Sequence, residues 1–208
     1  MRILGYVGSL LFISFLLGCT DSQTRIIGLQ PFEGFDPAIT ISVQESLERF
    51  YPFDVIILSP TAIPQHSFVN VKSPRYRADS LIRYLKKQKP DSLRLLIGLT
   101  YQDISTTKRQ SGGEIKEPVS RYADWGIFGL GYRPGPSCIA STYRLGKEQK
   151  LKVERFCKIV IHEVGHNLGL RHCPDPKCIM QDAAESIATI DGVGFSMCDR
   201  CKRTIGIK

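Results

Sequence analysis

The string His162-Glu163-Val164-Gly165-His166-Asn167-Leu168-Gly169-Leu170-Arg171-His172 constrains this chain more than any other feature. In a helix, residues four apart share a face, so His162 and His166 point the same way with Glu163 beside them. Gly169 suits a sharp exit from the helix, because glycine tolerates positive φ. That exit would swing His172 back toward the same point. Three neutral imidazoles can hold Zn²⁺ and leave a fourth position open for water, which marks a catalytic site. Glu163 is then placed to take a proton from that water and pass it to a leaving amine. Histidine pairs on helix surfaces are common. Three His, one Glu and one Gly at these fixed positions arise by chance in on the order of 1 in 100,000 such chains.

The motif ends a long helical pattern, expected over Lys147 to Leu170. Val153, Phe156, Cys157, Val160, Ile161, Val164 and Leu168 form one continuous apolar stripe. His162 and His166 lie roughly opposite its centre. Packing the stripe on a core therefore turns both imidazoles to the other side. Cys157 falls on the stripe and reads as a packed core thiol.

Cys173 follows the last histidine directly. Cys178 comes five positions later, then Met180, and Cys198-Asp199-Arg200-Cys201 is a CxxC. Two cysteine pairs about twenty residues apart suit a closed tetrahedral site, a structural zinc. Disulfides are the alternative in an oxidising compartment, where Cys138 and Cys157 could join them.

The whole pattern, HExxHxxGxxHCx₄CxMx₁₇CxxC from His162 to Cys201, resembles the signature of the archaemetzincins, zinc peptidases of the metzincin clan. The resemblance implies that His162, His166 and His172 bind a catalytic zinc and that Glu163 is the general base. It implies that Cys173, Cys178, Cys198 and Cys201 bind a structural zinc, giving two Zn²⁺ per chain. Met180 would form the methionine turn beneath the site, with Met197 as a rival. Gly126 to Leu145 would contain the strand along which an extended peptide lies. An aminopeptidase would need an acid to hold the free amine, and Glu114, Glu117 and Asp124 are candidates. Endopeptidase and aminopeptidase action stay open.

The start of the chain reads as an address. Met1-Arg2 precedes an apolar run, Ile3 to Leu17, shorter than the ~20 residues that span a bilayer. It ends Leu16-Leu17-Gly18-Cys19, which resembles the bacterial lipobox. Residues 1–18 would be a cleaved signal peptide, Cys19 the lipidated N-terminus and 19–24 a tether. The alternative is an uncleaved anchor or a buried N-terminal helix. The expected location is the bacterial cell envelope, on the periplasmic or outer-membrane side. Families of this type are mostly intracellular, so the address and the resemblance pull apart.

Between tether and motif, strand and helix signals alternate. Strands are expected at Arg25 to Phe32, Val55 to Leu58 (buried) and Leu93 to Leu99. Asp36-Pro37 and Ser73-Pro74 each read as a helix cap followed by proline. This order implies a mostly parallel sheet with covering helices, and the resemblance implies an α+β, zincin-like fold in which that sheet is twisted and carries a backing helix and the active-site helix. Its N-terminal subdomain would be 25–172, and its C-terminal Cys₄ zinc subdomain 173–208. Tyr101 to Asp124 reads as a mobile polar loop. Gly126 to Tyr132 and Cys138 to Leu145 read as two further strands joined by a Pro134-Gly135-Pro136 turn.

At 208 residues, with 42% hydrophobic and 23% charged, the chain has the profile of one globular domain. Its net charge of +8 is spread along the chain, so no nucleic-acid partner is expected. The sequence reading is a membrane-tethered, monomeric zinc metallopeptidase acting on peptides. Its alternative is a non-catalytic zinc-binding envelope lipoprotein.

Overall fold

In a computed structural model, the described residues are 25–182 and 186–207. The lipobox and Cys19 lie outside them. Nine strands and six helices run in the order β1 (Ile26–Pro31), α1 (Pro37–Phe50), β2 (Asp54–Ile57), β3 (Phe68–Asn70), β4 (Pro74–Arg77), α2 (Ala78–Gln88), β5 (Leu95–Thr100), β6 (Ile104–Thr106), α3 (Val119–Tyr122), β7 (Trp125–Ile127), β8 (Gly129–Gly131), β9 (Ser137–Ser141), α4 (Gln149–Asn167), α5 (Ile187–Gly192) and α6 (Asp199–Ile205) among the described residues.

The main sheet has the order β2-β1-β5-β9-β8. Its pairings are parallel except at β8, which runs antiparallel to β9 and leaves one edge open. The period-two alternation of strands sorts its side chains into two cores. Ile27, Leu29, Ile97, Leu99, Cys138 and Ala140 join Val43 and Leu47 of α1 and Val160 and Val164 of α4. Leu96 and Ile139 join Leu81 and Leu85 of α2. Each fully buried Leu, Ile or Val contributes about 1.5–3 kcal/mol. Central β5, buried at every position, is the continuous apolar run of a strand covered on both faces.

Asp36 caps α1 as its sequence implies, its Oδ1 accepting from Ala38 N at 2.8 Å with Pro37 at the first helical position. Five other expectations are corrected. Ser73-Pro74 does not start a helix: Pro74–Arg77 is β4, and α2 begins at Ala78 without a side-chain cap. Arg75 is drawn into an extended strand by Asp103 (3.3 Å) and Asp124 (3.6 Å). The Val55 to Leu58 strand is an edge rather than a buried element, with Ile56 42% and Ile57 41% exposed.

Tyr101 to Asp124 is not a loose loop. It contributes β6 and α3, and Asp103 receives a bidentate pair of 2.7 Å hydrogen bonds from Arg144. Gly126 to Tyr132 is divided between two sheets: β7 joins a second, four-stranded sheet, β3-β4-β6-β7, while β8 joins the main one. The segment expected at Cys138 to Leu145 extends only over Ser137–Ser141.

Candidate active site

Helix α4 carries the motif, and three contacts fix it. At its start, the Glu148 carboxylate accepts from the backbone N–H groups of Lys150 (3.0 Å) and Leu151 (2.6 Å). These bonds hold that carboxyl below its ordinary value. At its middle, the buried Tyr51 hydroxyl donates to Ile161 O at 2.8 Å. At its end, Asn167 Nδ2 donates to Tyr132 O (3.0 Å) and Ser137 O (2.9 Å), tying the helix to the edge of the main sheet. Gly169, with φ +102°, then turns the chain out of the helix.

That turn brings the third histidine home. The ring centroids of His162 and His166 are 4.6 Å apart, and His172 lies 5.3 and 4.9 Å from them. One nitrogen from each ring lies within 4.8 Å of the other two. His162 Nδ1–H donates to Ile179 O and His166 Nδ1–H to Leu170 O, both at 2.8 Å. His172 Nδ1 lies 3.3 Å from Asp182 Oδ2. With Nδ1 so engaged, each Nε2 lone pair is left for a cation. Burial, then the neighbouring His166, push His162 down to about 3, so it stays neutral over the physiological range. Burial lowers His166 as well. A neutral imidazole trio is a donor set that fits Zn²⁺.

Glu163 lies 7% exposed, and burial pushes its carboxyl up to about 8. Two glycines of β8 make room for it. A Cβ on Gly129 would stand 2.7 Å from Oε1, and one on Gly131 would stand 3.2 Å from Oε2. A cleft of about 370 Å³ opens between β8, α4 and α5, lined by Glu163 and the three histidines. Beneath the helix, the fully buried Met180 sits with its sulfur against Gly165, at a spot a Cβ would occupy. Met197 is buried in the same core.

The four later cysteines also converge, their sulfurs all within 4.8 Å of one another. Cys173 Sγ and Cys198 Sγ are 3.7 Å apart. A tetrahedral zinc with ~2.3 Å bonds to sulfur needs edges of about 3.8 Å. Cys198 N–H points at Cys178 Sγ (3.4 Å), and Arg200 Nη2 donates to Cys173 Sγ (3.2 Å). In the metal-free cluster the Cys201 backbone N–H draws the Cys198 thiol down, while burial pushes Cys178 and Cys201 up. The six described cysteines carry free thiols, and Cys157 and Cys138 are buried apart from this cluster.

A family model described as Peptidase family M54 matches residues 40–206. The chain belongs to the archaemetzincin family. The archaemetzincin of Haloquadratum walsbyi is 26% identical over 190 residues, 86% of this chain and 99% of that one. That of Methanopyrus kandleri is 31% identical over 140 residues, 67% of this chain and 70% of its own. The crystal structure of the Methanopyrus kandleri archaemetzincin superposes with a TM-score of 0.71 at 24% identity, covering 90% of this chain and 97% of that one. The Archaeoglobus fulgidus archaemetzincin, complexed with malonate, gives 0.68 at 22% identity, covering 86% and 99%. The α+β fold is thus the archaemetzincin fold, and the chain is a zinc-dependent metallopeptidase whose substrates are peptides. The non-catalytic alternative gives way to this.

Several archaemetzincin site features were silent in the sequence. Gly129 and Gly131 matter only because β8 passes beside Glu163. Tyr51 reads as a helix end, yet it braces α4. Of the acids considered for binding an amine, none lines the cleft. Asp124 is 3% exposed and turned to Arg75 and Arg77 (3.6 and 3.8 Å), and Glu117 accepts from Val119 N. His66 sits exposed on a 3₁₀ turn, Gln65–Ser67.

Proposed function

We propose that His162, His166 and His172 hold the hydrolytic zinc, that Glu163 is the general base, and that Cys173, Cys178, Cys198 and Cys201 hold a second, structural zinc. The convergence of three imidazoles with a buried glutamate on one cleft carries this reading. Bound there, zinc supplies a Lewis acid that polarises the scissile carbonyl and acidifies a water. Glu163, held against β8, takes a proton from that water at a carboxylate oxygen and delivers it to the departing amine. Burial raises this carboxyl in the metal-free chain, and a zinc beside it would favour the carboxylate that accepts the proton. The open edge of β8 gives an extended peptide a strand to pair with. Met180, packed under Gly165, supports the floor of the site as the methionine of the turn.

The Leu16-Leu17-Gly18-Cys19 string supports a further part of the reading, a lipid anchor on Cys19 that tethers a monomeric enzyme in the bacterial envelope. Among the described residues no helix is long and apolar enough to cross a membrane. A Cys19→Ser variant is expected in the soluble fraction rather than with membranes. Equal membrane partition of both forms would refute the anchor.

Metal analysis tests the core of the proposal. Two zincs per chain are expected, one after Cys178→Ser or after His166→Ala, and two after Glu163→Ala, which loses peptide cleavage. A freshly purified chain without zinc would overturn it.

A further inference from the structure

The ionic lining of the cleft is lopsided. Lys108, Arg133 and Lys158 line it, and Glu163 is its sole acidic lining residue among the described ones. Two of these cations are already engaged. Lys158 Nζ pairs with Glu154 at 2.8 Å and donates to Ile190 O at 3.2 Å. Lys108 Nζ lies 4.8 Å above the Trp125 ring. Arg133 is different. It is exposed, and no ion pair or hydrogen bond engages its guanidinium among the described residues.

The backbone around Arg133 is fixed to the site. Asn167 Nδ2 donates to Tyr132 O at 3.0 Å, and Gly135 N donates to Asn167 O at 3.1 Å. Both bonds bracket Arg133 and tie its turn to the residue after His166. Arg133 and His166 line the same cleft. A planar, permanently charged fork facing a cleft is matched by a carboxylate, which it can bind bidentately.

We propose that Arg133 binds a carboxylate of the peptide substrate beside the scissile bond. The inference rests on the cleft being the peptidase site proposed above. The carboxylate can come from an Asp or Glu side chain or from a free C-terminus, and Arg133 recognises the chemistry the two share. Arg133 is thus a specificity residue that acts on binding, while Glu163 moves the proton.

The test uses zinc-loaded full-length enzyme and octapeptides with Glu or Gln at each position, each with a free or an amidated C-terminus. Cleavage gives kcat and KM. Anisotropy with the zinc-loaded Glu163→Gln variant gives binding without turnover. Wild type is expected to favour Glu over Gln at one position, or acid over amide near the terminus, by about tenfold, chiefly in KM. The first result assigns the carboxylate to a side chain and the second to the C-terminus, and either supports the proposal. Arg133→Gln should bring the ratio to about one, and Arg133→Lys should keep part of it. A wild type indifferent to charge, or a ratio unchanged by Arg133→Gln, overturns the proposal. If no peptide is cleaved, the hydrolytic reading fails, and the binding arm still decides the carboxylate site by the same ratio.

Discussion

At the residue scale, the proposed chemistry rests on Glu163 and the glycines beside it. Gly129→Ala would place a methyl 2.7 Å from Glu163 Oε1. The methyl would also stand 2.9 Å from Glu163 Cγ, so the whole Glu163 side chain must shift while the backbone of the fold can stay in place. The expected outcome is a hydrolysis rate lower by about a hundredfold with zinc content and melting temperature nearly unchanged, since displacements near 1 Å cost about that much. Steady-state kinetics beside metal analysis checks it, and an unchanged rate would contradict it.

The metal-free chain gives a second test. Burial raises Glu163 from 4.5 to about 8, so its contribution to stability is full below pH 4.5 and is lost as pH rises through 8. His162 has the opposite sense. Its value falls from 6.5 to about 3, so its contribution is present above pH 6.5 and lost as pH falls toward 3. Between pH 6.5 and 8 the Glu163 slope falls with pH, and the opposite slope of Cys198, whose value is lowered to about 7, is common to wild type and variant and cancels in their comparison. Metal-free Glu163→Gln should therefore lose less stability than metal-free wild type across that window, as read by urea denaturation. Parallel pH profiles would contradict the assigned burial.

At the scale of elements, α4 is where sequence and structure agree most and also where packing overrides propensity. Its stripe, its two same-facing histidines and the Gly169 exit were legible because each follows from helical periodicity or from φ. Gly165 was not. Alanine is the better helix former by about 1 kcal/mol, yet Met180 fills the space a Cβ would need. Gly165→Ala should thus lower the melting temperature, and a rise would contradict the contact. Glu148 offers a complementary case at the other end. Its carboxyl is lowered by Leu151 and Lys150 N–H, so its capping is present above its ordinary 4.5 and lost as pH falls through its lower folded value. Glu148→Ala should melt earlier than wild type at pH 7, with the gap closing in acid. β4 and β6 escaped the sequence reading because long-range ion pairs made them: Arg75 and Arg144 meet on Asp103, 28 and 41 residues away from it respectively.

At the scale of the whole molecule, the mostly parallel character of the main sheet was legible from alternating strand and helix signals, whereas its order β2-β1-β5-β9-β8 was not. The second sheet was not, because its strands are three or four residues long and carry no clear period. The site is assembled from parts far apart in the chain. β8 supplies clearance and an open edge, α4 the buried glutamate proposed as base and two histidines, and the Gly169 turn the third. The cysteine cluster continues directly from His172, and its residues share one core with α1 and α4. Loss of its metal through Cys201→Ser should therefore lower the stability of the whole domain and reduce zinc from two per chain to one. An unchanged melting temperature would show the cluster to be dispensable.

The central claim is that Glu163 moves the proton for hydrolysis at a zinc held by three histidines. The most direct measurement is a peptide-library digest, read by mass spectrometry, with wild type and Glu163→Gln at equal zinc content. Wild type should cleave, and Glu163→Gln should cleave slower by a factor of about 10² to 10⁴. Cleavage by Glu163→Gln at the wild-type rate would contradict the account.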